Sequence, residues 1–306
     1  MRAVRLLLVA AAAAAGARSE AQPALDVLHV RGSLYMIAGP QGNTTVQVGR
    51  DGVLVVDPQP AALSRALLAE IAELSDRPVR YVINTSADAE HTAGNEAVAA
   101  AGKVLAGGNT RPATVYSSGG AAVWAHENVL NRLTGDRGVA AAVWPTDTYF
   151  VPQKDLFVNG EPVQLLHMPA AHTDGDSLVV FRRTDAVSAG DVYTPDRYPM
   201  IDLDRGGSVD GVIDALNHLL RITVPEFNQQ GGTLVIPGHG RLSDEADVAE
   251  YRDMVTIVRD RVRDMVQKGM TLEQVRAARP TRDYDGIYGA DAGVVFVERV
   301  YRSLTK

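Results

Sequence analysis

Seven side chains in this sequence are of types that could hold a cation and put it to use: Ser86, Asp88, Glu90, His91, His172, Asp191 and His239. Four of them fall within the short stretch Ser86-Ala87-Asp88-Ala89-Glu90-His91. Imidazoles and carboxylates bind divalent metals well, whereas a neutral hydroxyl such as Ser86 is a poor ligand beside them. A set rich in oxygen shifts preference from zinc towards harder ions such as manganese. If the fold gathers these carboxylates with no counter-charge, they repel and raise each other's pKa, so the set calls for a cation. The alternative is a charged hydrogen-bond cluster that binds no metal. The chain has no cysteine, which excludes thiolate metal sites and disulfides alike.

The stretch Asn84 to Asn95 resembles the metal-binding signature of the metallo-β-lactamase superfamily, His-x-His-x-Asp-His inside a frame like Asn-Thr-His…His-Thr-Gly-Gly-Asn. Asn84, Thr85, Thr92, Ala93, Gly94 and Asn95 keep the frame. Ser86 stands at the first His, Asp88 at the second and Glu90 at the Asp, and His91 alone matches. Three later pieces agree in order: His172 in Ala-His-Thr-Asp-Gly-Asp-Ser, Asp191 in Ala-Gly-Asp-Val, and His239 in Pro-Gly-His-Gly. The resemblance runs from about Leu34 to Leu242 and implies an α/β fold, the αββα four-layer sandwich.

The resemblance also implies a two-part metal site. Ser86, Asp88 and His172 fall in the first half, Glu90, His91 and His239 in the second, and Asp191 lies beside both. Glu90 is one methylene longer than the usual Asp. The second half keeps two imidazoles and two carboxylates, enough for one metal: Zn2+ first, with Mn or Fe as alternatives. The first half is expected to be weak or empty. The function implied is a hydrolase that turns a metal-activated water on an ester, lactone, amide or phosphoester. Asp88 and Glu90 would be the catalytic carboxylates, with Asp88 orienting or deprotonating the water. The substituted ligands equally suit a non-catalytic ligand-binding pseudoenzyme that keeps the cleft. In the family, an Asp at the place of Asp57 supports the metal loop from behind; a turn or helix-cap Asp reads as well from the residues alone.

The elements that must position these residues are legible from periodicity. Leu34 to Ile37, Thr44 to Val48 and Val53 to Val56 are short runs split by Gly-rich turns, a β-meander. Ala61 to Leu74 has helical spacing, Val79 to Ile83 is a strand, and a helix-like run follows from Glu96 to Ala101. The metal loop thus occupies a strand-to-helix turn, where open α/β sheets place their chemistry. Val104 to Ala106 reads as a strand and Ala121 to Leu133 as a helix. Trp124, Trp144, Tyr116 and Tyr149 in this region suit either an aromatic rim to the site or ordinary burial. His126 fits a cap or packing role better than a ligand role.

Leu156 to Val158 and Val163 to Leu166 flank Asn159-Gly160, a hairpin signal. Leu178 to Phe181 and Val187 to Ala189 are further strands. His167 is placed to orient the His172 loop, and Asp174 and Asp176 to pin it. Val209 to Ile222 is an amphipathic helix containing a structural His218. Leu234 to Ile236 is a buried strand, and Ser243 to Gln267 a long helix whose Arg/Asp pairs read as a solvated face. A helix starts at Thr271, a polar loop spans Asp283 to Ala292, and Val294 to Leu304 closes the chain as a helix.

Residues 1–21 read as a secretory signal: Arg2 and Arg5, an apolar run from Leu6 to Ala15, then small residues. The mature chain would begin near Gln22 as a single domain to residue 306, with its core about 34–242 and C-terminal helices over 243–306. The expected location is periplasmic or secreted. The full chain carries a net charge of −7, and signal removal makes it more acidic still. That disfavours nucleic acid, which needs a basic patch. No other apolar run approaches the length needed to span a bilayer. The expected partner is a small-molecule substrate or ligand.

Overall fold

The computed structural model describes residues 25–103, 120–223 and 231–306. The expected signal segment, the Val104 to Ala106 strand and Tyr116 lie outside the described residues. Among the described residues, the first sheet has seven strands in sequential order: β1 (Asp26–Arg31), β2 (Leu34–Gly39), β3 (Gly42–Gln47), β4 (Val53–Val56), β5 (Val79–Ile83), β6 (Ala122–His126) and β7 (Asp147–Tyr149). The second has five: β8 (Gln153–Val158), β9 (Glu161–Met168), β10 (Asp176–Phe181), β11 (Ala186–Gly190) and β12 (Leu234–Pro237), in the order β12-β11-β10-β9-β8. Strands β4 to β7 run parallel, as do β11 and β12, and the remaining pairs are antiparallel.

Period-two patterning explains why two sheets stack with helices outside. Along β4, Leu54 and Val56 face the second sheet while Val53 and Val55 face helices. Along β10, Val179 and Phe181 join that same inter-sheet core, and Leu178 and Val180 turn to the opposite helical layer. Strands buried on both faces read as continuous apolar runs, as these do. One outer layer holds α1 (Ser64–Leu74) and α3 (Asn95–Ala100) against the first sheet. The other holds α5 (Val209–Ile222), α6 (Glu245–Gln267), α7 (Leu272–Ala278) and α9 (Ala290–Leu304) against the second. The expected four-layer sandwich is therefore the fold.

The far edge of the sandwich is closed by a clasp between two turns. Asn159 and Gly160 both have positive φ, 54° and 83°, which a tight two-residue hairpin requires. Asn159 N donates to Asp51 Oδ2 at 2.8 Å, Asp51 N donates to Asn159 Oδ1 at 2.9 Å, and Asn159 Nδ2 donates to Gly52 O at 3.0 Å.

Two expectations need correction. The segment Ala121 to Leu133 is not one helix: its first half is β6, paired parallel to β5, and only α4 (Glu127–Gly135) is helical. A short apolar run serves a buried strand or a helix equally well by pattern, and here the open edge of β5 decides. The polar loop Asp283 to Ala292 contains α8 (Asp285–Tyr288) and the start of α9. Strands β1 and β7 carry too little apolar patterning to stand out.

Candidate metal centre

The sheets bring their chemistry to one edge. Asp57 follows β4, the Asn84 to His91 loop follows β5, Asp191 follows β11 and His239 follows β12. His172 lies on the loop after β9. The loop after β5 ends in α2 (Ala89–Thr92), a single turn carrying Glu90 and His91. Buried Asn84 holds that turn: its Nδ2 donates to His91 O at 2.7 Å and to Asn95 Oδ1 at 2.9 Å.

Asp57 supports the loop from behind. It adopts φ 57°, a left-handed conformation that Asp tolerates better than most residues. Its Oδ1 accepts from Thr85 N at 2.8 Å and its Oδ2 from Thr85 Oγ1 at 2.6 Å. Oδ2 also lies 2.9 Å from His91 Nδ1. The partners of Asp57 thus match the supporting role rather than the turn or cap role.

Glu90, His91, Asp191 and His239 converge, with one ligand atom from each lying within 4.8 Å of all the others. His91 Nε2 is 3.3 Å from Asp191 Oδ2; His239 Nε2 is 3.3 Å from Glu90 Oε1 and 3.6 Å from Asp191 Oδ1. Ligand atoms ~2.1 Å from one tetrahedral ion stand ~3.4 Å apart, so these separations suit a shared cation. The donor chemistry agrees. Both ring nitrogens of His91 and both carboxylate oxygens of Asp191 are buried and have no aligned hydrogen bond among the described residues. Buried polar atoms are almost always satisfied, and a metal would satisfy His91 Nε2 and Asp191 together. Burial pulls the His91 pKa down, but the Asp57 and Asp191 carboxylates outweigh it and hold it well above the usual imidazole range. For Asp191, burial pushes upward, and the charges of His91, His172 and His239 carry it far below the usual carboxylate range.

The other half is built differently. Ser86 Oγ accepts from Asp88 N at 3.3 Å, so this hydroxyl shapes the loop. Asp88 Oδ2 lies 2.6 Å from His172 Nε2, and Asp88 Oδ1 lies 2.5 Å from Arg205 Nη1. His172 Nδ1 donates to Met200 O at 2.8 Å. Burial raises the Asp88 pKa, yet the His172 hydrogen bond and the charges of His172 and Arg205 bring it to about 2. Burial likewise lowers His172, while the Asp88 hydrogen bond and the charges of Asp176, Asp191 and Asp88 lift it to about 10. Asp88, His172 and Asp191 also offer ligand atoms within 4.8 Å of one another.

Supporting residues divide as their partners dictate. Asp176 pins the His172 loop through Thr173 N and Oγ1 at 2.8 and 2.6 Å. Asp174 meets Arg132 at 2.6 Å, while its carbonyl accepts from His167 Nε2 at 2.8 Å. His126 caps α4 by accepting from Asn128 N at 3.3 Å and stacks on His167 at 3.5 Å. His218 sits on α5 beside Arg221, its Nδ1 3.3 Å from Arg221 Nη2. The aromatics pack rather than line a mouth: Tyr149 is buried with its hydroxyl 2.6 Å from Ser177 Oγ, and Trp124 and Trp144 pack against core clusters. The cleft beside Asp88 is lined instead by Ala61, Ala87, Leu133, Arg132, Arg137 and Arg205, among others.

Arg205 was not legible as a site residue. Its only sequence signal is an arginine in the turn Asp202-Leu203-Asp204-Arg205-Gly206-Gly207, far along the chain from Asp88. Arg197 also lies close enough to feel the charges of Asp191 and Glu90.

With this geometry in hand, comparison with known proteins gives the class. The sequence profile of the metallo-beta-lactamase superfamily matches residues 37–239, and the chain belongs to that superfamily, a hydrolase superfamily. Among solved structures it is similar to the stereoselective inverting sec-alkylsulfatase Pisa1 from Pseudomonas sp., at 16% identity and TM-score 0.68, covering 91% of this chain and 50% of that one. The chain thus spans half the length of that alkylsulfatase. It is also similar to a metallo-beta-lactamase from Pontibacter korlensis (13% identity, TM-score 0.58, 76% of this chain and 99% of that one). The DIM-1 metallo-beta-lactamase is alike at 16% identity and TM-score 0.58, over 76% of this chain and 98% of that one. No curated protein sequence matches the chain. At these identities the structural likeness speaks for the fold alone.

Proposed function

We propose that this protein is an exported, single-domain, metal-dependent hydrolase that holds about one divalent cation in Glu90, His91, Asp191 and His239. The carrying observation is the convergence of Glu90, His91, Asp191 and His239, one ligand atom from each lying within 4.8 Å of all the others. Zn2+ is the first candidate, with Mn or Fe as alternatives given two carboxylates among the ligands. A cation there supplies a Lewis acid that acidifies water and polarises the substrate's oxygen. The chain's residues do the rest. Asp57 fixes the ring of His91 and Asp191 sets the charge between the two halves. Glu90, with its side chain 30% exposed, is the more open of the two carboxylates expected to handle protons. Asp88 has its oxygens against His172 and Arg205, so it positions those groups rather than accepting a proton.

The substrate class is an ester, lactone, amide or phosphoester small molecule; the alkylsulfatase among similar structures adds sulfate esters. Metal analysis of dialysed protein, with a screen across these ester types, tests the reading. One ion per chain with metal-dependent turnover supports it. One ion with no turnover favours the second reading, a ligand-binding pseudoenzyme, for which the ion-paired Asp88, His172 and Arg205 speak. Export is tested by N-terminal sequencing from the native host, which should start near Gln22; an intact Met1 in the cytoplasmic fraction would refute it.

A further inference from the structure

We propose that the guanidinium of Arg205 takes the place of a second metal ion: it neutralises Asp88 and keeps the Asp88, His172 and Asp191 group from binding a cation. The inference rests on the metal-dependent reading of the neighbouring half. Asp88, His172 and Asp191 bring ligand atoms within 4.8 Å of one another, a complement of two carboxylates and an imidazole that ordinarily suffices for zinc. What closes it is Arg205, 2.5 Å from Asp88 Oδ1, while His172 Nε2 occupies Asp88 Oδ2 at 2.6 Å. Both oxygens of Asp88, the carboxylate that this half does not share with its neighbour, are therefore engaged.

Arg205 is built into this place. Its Nε donates to Asp202 Oδ2 at 2.7 Å and its backbone N to Asp202 Oδ1 at 3.0 Å. Its carbonyl accepts from Asp174 N at 2.8 Å. The turn that carries it is bonded to the backbone of His172 itself, through Asp202 N to His172 O at 2.9 Å. Gly206, at φ 87°, lets the turn double back, and a side chain at Gly207 would collide with His172 O. The arginine and the imidazole are thus positioned by one unit. A guanidinium stays charged at any working pH, so the positive charge is permanent and a divalent ion entering beside it meets a like charge. The ordinary reading of Arg205 as a structural ion pair makes the opposite forecast for metal binding, which makes the two separable.

The test is zinc content per chain by elemental analysis, after loading with zinc alone and dialysis against metal-free buffer. It compares wild type, Arg205→Ala and Arg205→Gln, each checked for fold by circular dichroism. The Gln variant keeps much of the side chain's length without its charge. Wild type should hold about one ion, and both variants about two. In the Arg205→Gln background, His172→Ala should remove the added ion alone. One ion in wild type and one in both variants overturns the role given to Arg205 and leaves the metal-dependent reading standing. Two in wild type, or an added ion that survives His172→Ala, also overturns it. No ion in any of the chains overturns the metal-dependent reading and this inference together.

Discussion

Acidification from pH 7 to pH 5 should lower folding stability by about 2 kcal/mol through His126 alone. His126 is 4% exposed, accepts a hydrogen bond from Asn128 N, and lies flat against His167 at 3.5 Å. Protonation would bury a charge, break the cap of α4 and set the charge against a second imidazole. Burial is the main cause, and the neighbouring His167 adds to it, while Asp174 opposes; together they bring the pKa from 6.5 to about 4. The folded pKa thus lies below the unfolded one. Stability is full above pH 6.5, falls as the unfolded chain takes up a proton that the folded chain refuses, and levels off near pH 4. At ~1.36 kcal/mol per unit the whole shift is worth roughly 3 kcal/mol, of which about 2 has been lost by pH 5. Urea unfolding at both pH values, with chelator present throughout, measures the loss. His126→Asn keeps an oxygen to cap the helix and has nothing to titrate, so its loss between the two pH values should be smaller by about that amount. Identical pH dependence in the two proteins would refute the argument.

The remaining expectations concern the site. His91→Ala and His239→Ala should each abolish tight metal binding in elemental analysis, while Ser86→Ala should leave it unchanged, because among the described residues the Ser86 hydroxyl bonds within its own loop. Asp57→Ala strips partners from Thr85 N, Thr85 Oγ1 and His91 Nδ1; calorimetry should show a loss of about 2–4 kcal/mol in stability and a fall in metal affinity of roughly 10–100-fold. A Cβ at position 238 would overlap Asp191 Oδ1 and the backbone of Gly190; Gly238→Ala should therefore weaken metal binding in a competition titration, and unchanged affinity would count against the placement of Asp191. Nitrocefin turnover should be very slow or absent, since Ser86 and Asp88 cannot rebuild a three-imidazole half; rapid zinc-dependent hydrolysis would contradict this.

What the sequence discloses follows physical range. Strands β4, β9 and β10 and helix α5 were legible because burial on defined faces writes a period into the residues themselves. The motif pieces at His91, His172, Asp191 and His239 were legible because each sits in its own turn. Segment Ala122–His126 was misread because four apolar residues followed by a histidine carry no period of their own, and only the neighbouring strand makes them extended. Arg205 was invisible for a related reason. Nothing near it in the chain states that its guanidinium meets Asp88, a contact created where the loop after β11, bonded to the loop after β9, reaches the loop after β5. The choice between a turn Asp and a supporting Asp at position 57 was likewise settled by partners distant in sequence.

The clasp at the opposite edge carries a chemical liability. Asn followed by Gly is the dipeptide most prone to spontaneous deamidation, and Asn159 sits directly before Gly160. Conversion to Asp would replace the Nδ2 donor by a charged oxygen facing Gly52 O and Gln47 Oε1, with Asp51 close by. Two carboxylates would then confront each other across a turn that had been held by reciprocal donation. Ageing of the purified protein should therefore begin at the edge remote from the chemistry, and stored samples should accumulate an acidic isoform that melts earlier yet keeps its metal content. Asn159→Gly retains the left-handed backbone the turn demands and removes the amide, which should trade some initial stability for a longer shelf life.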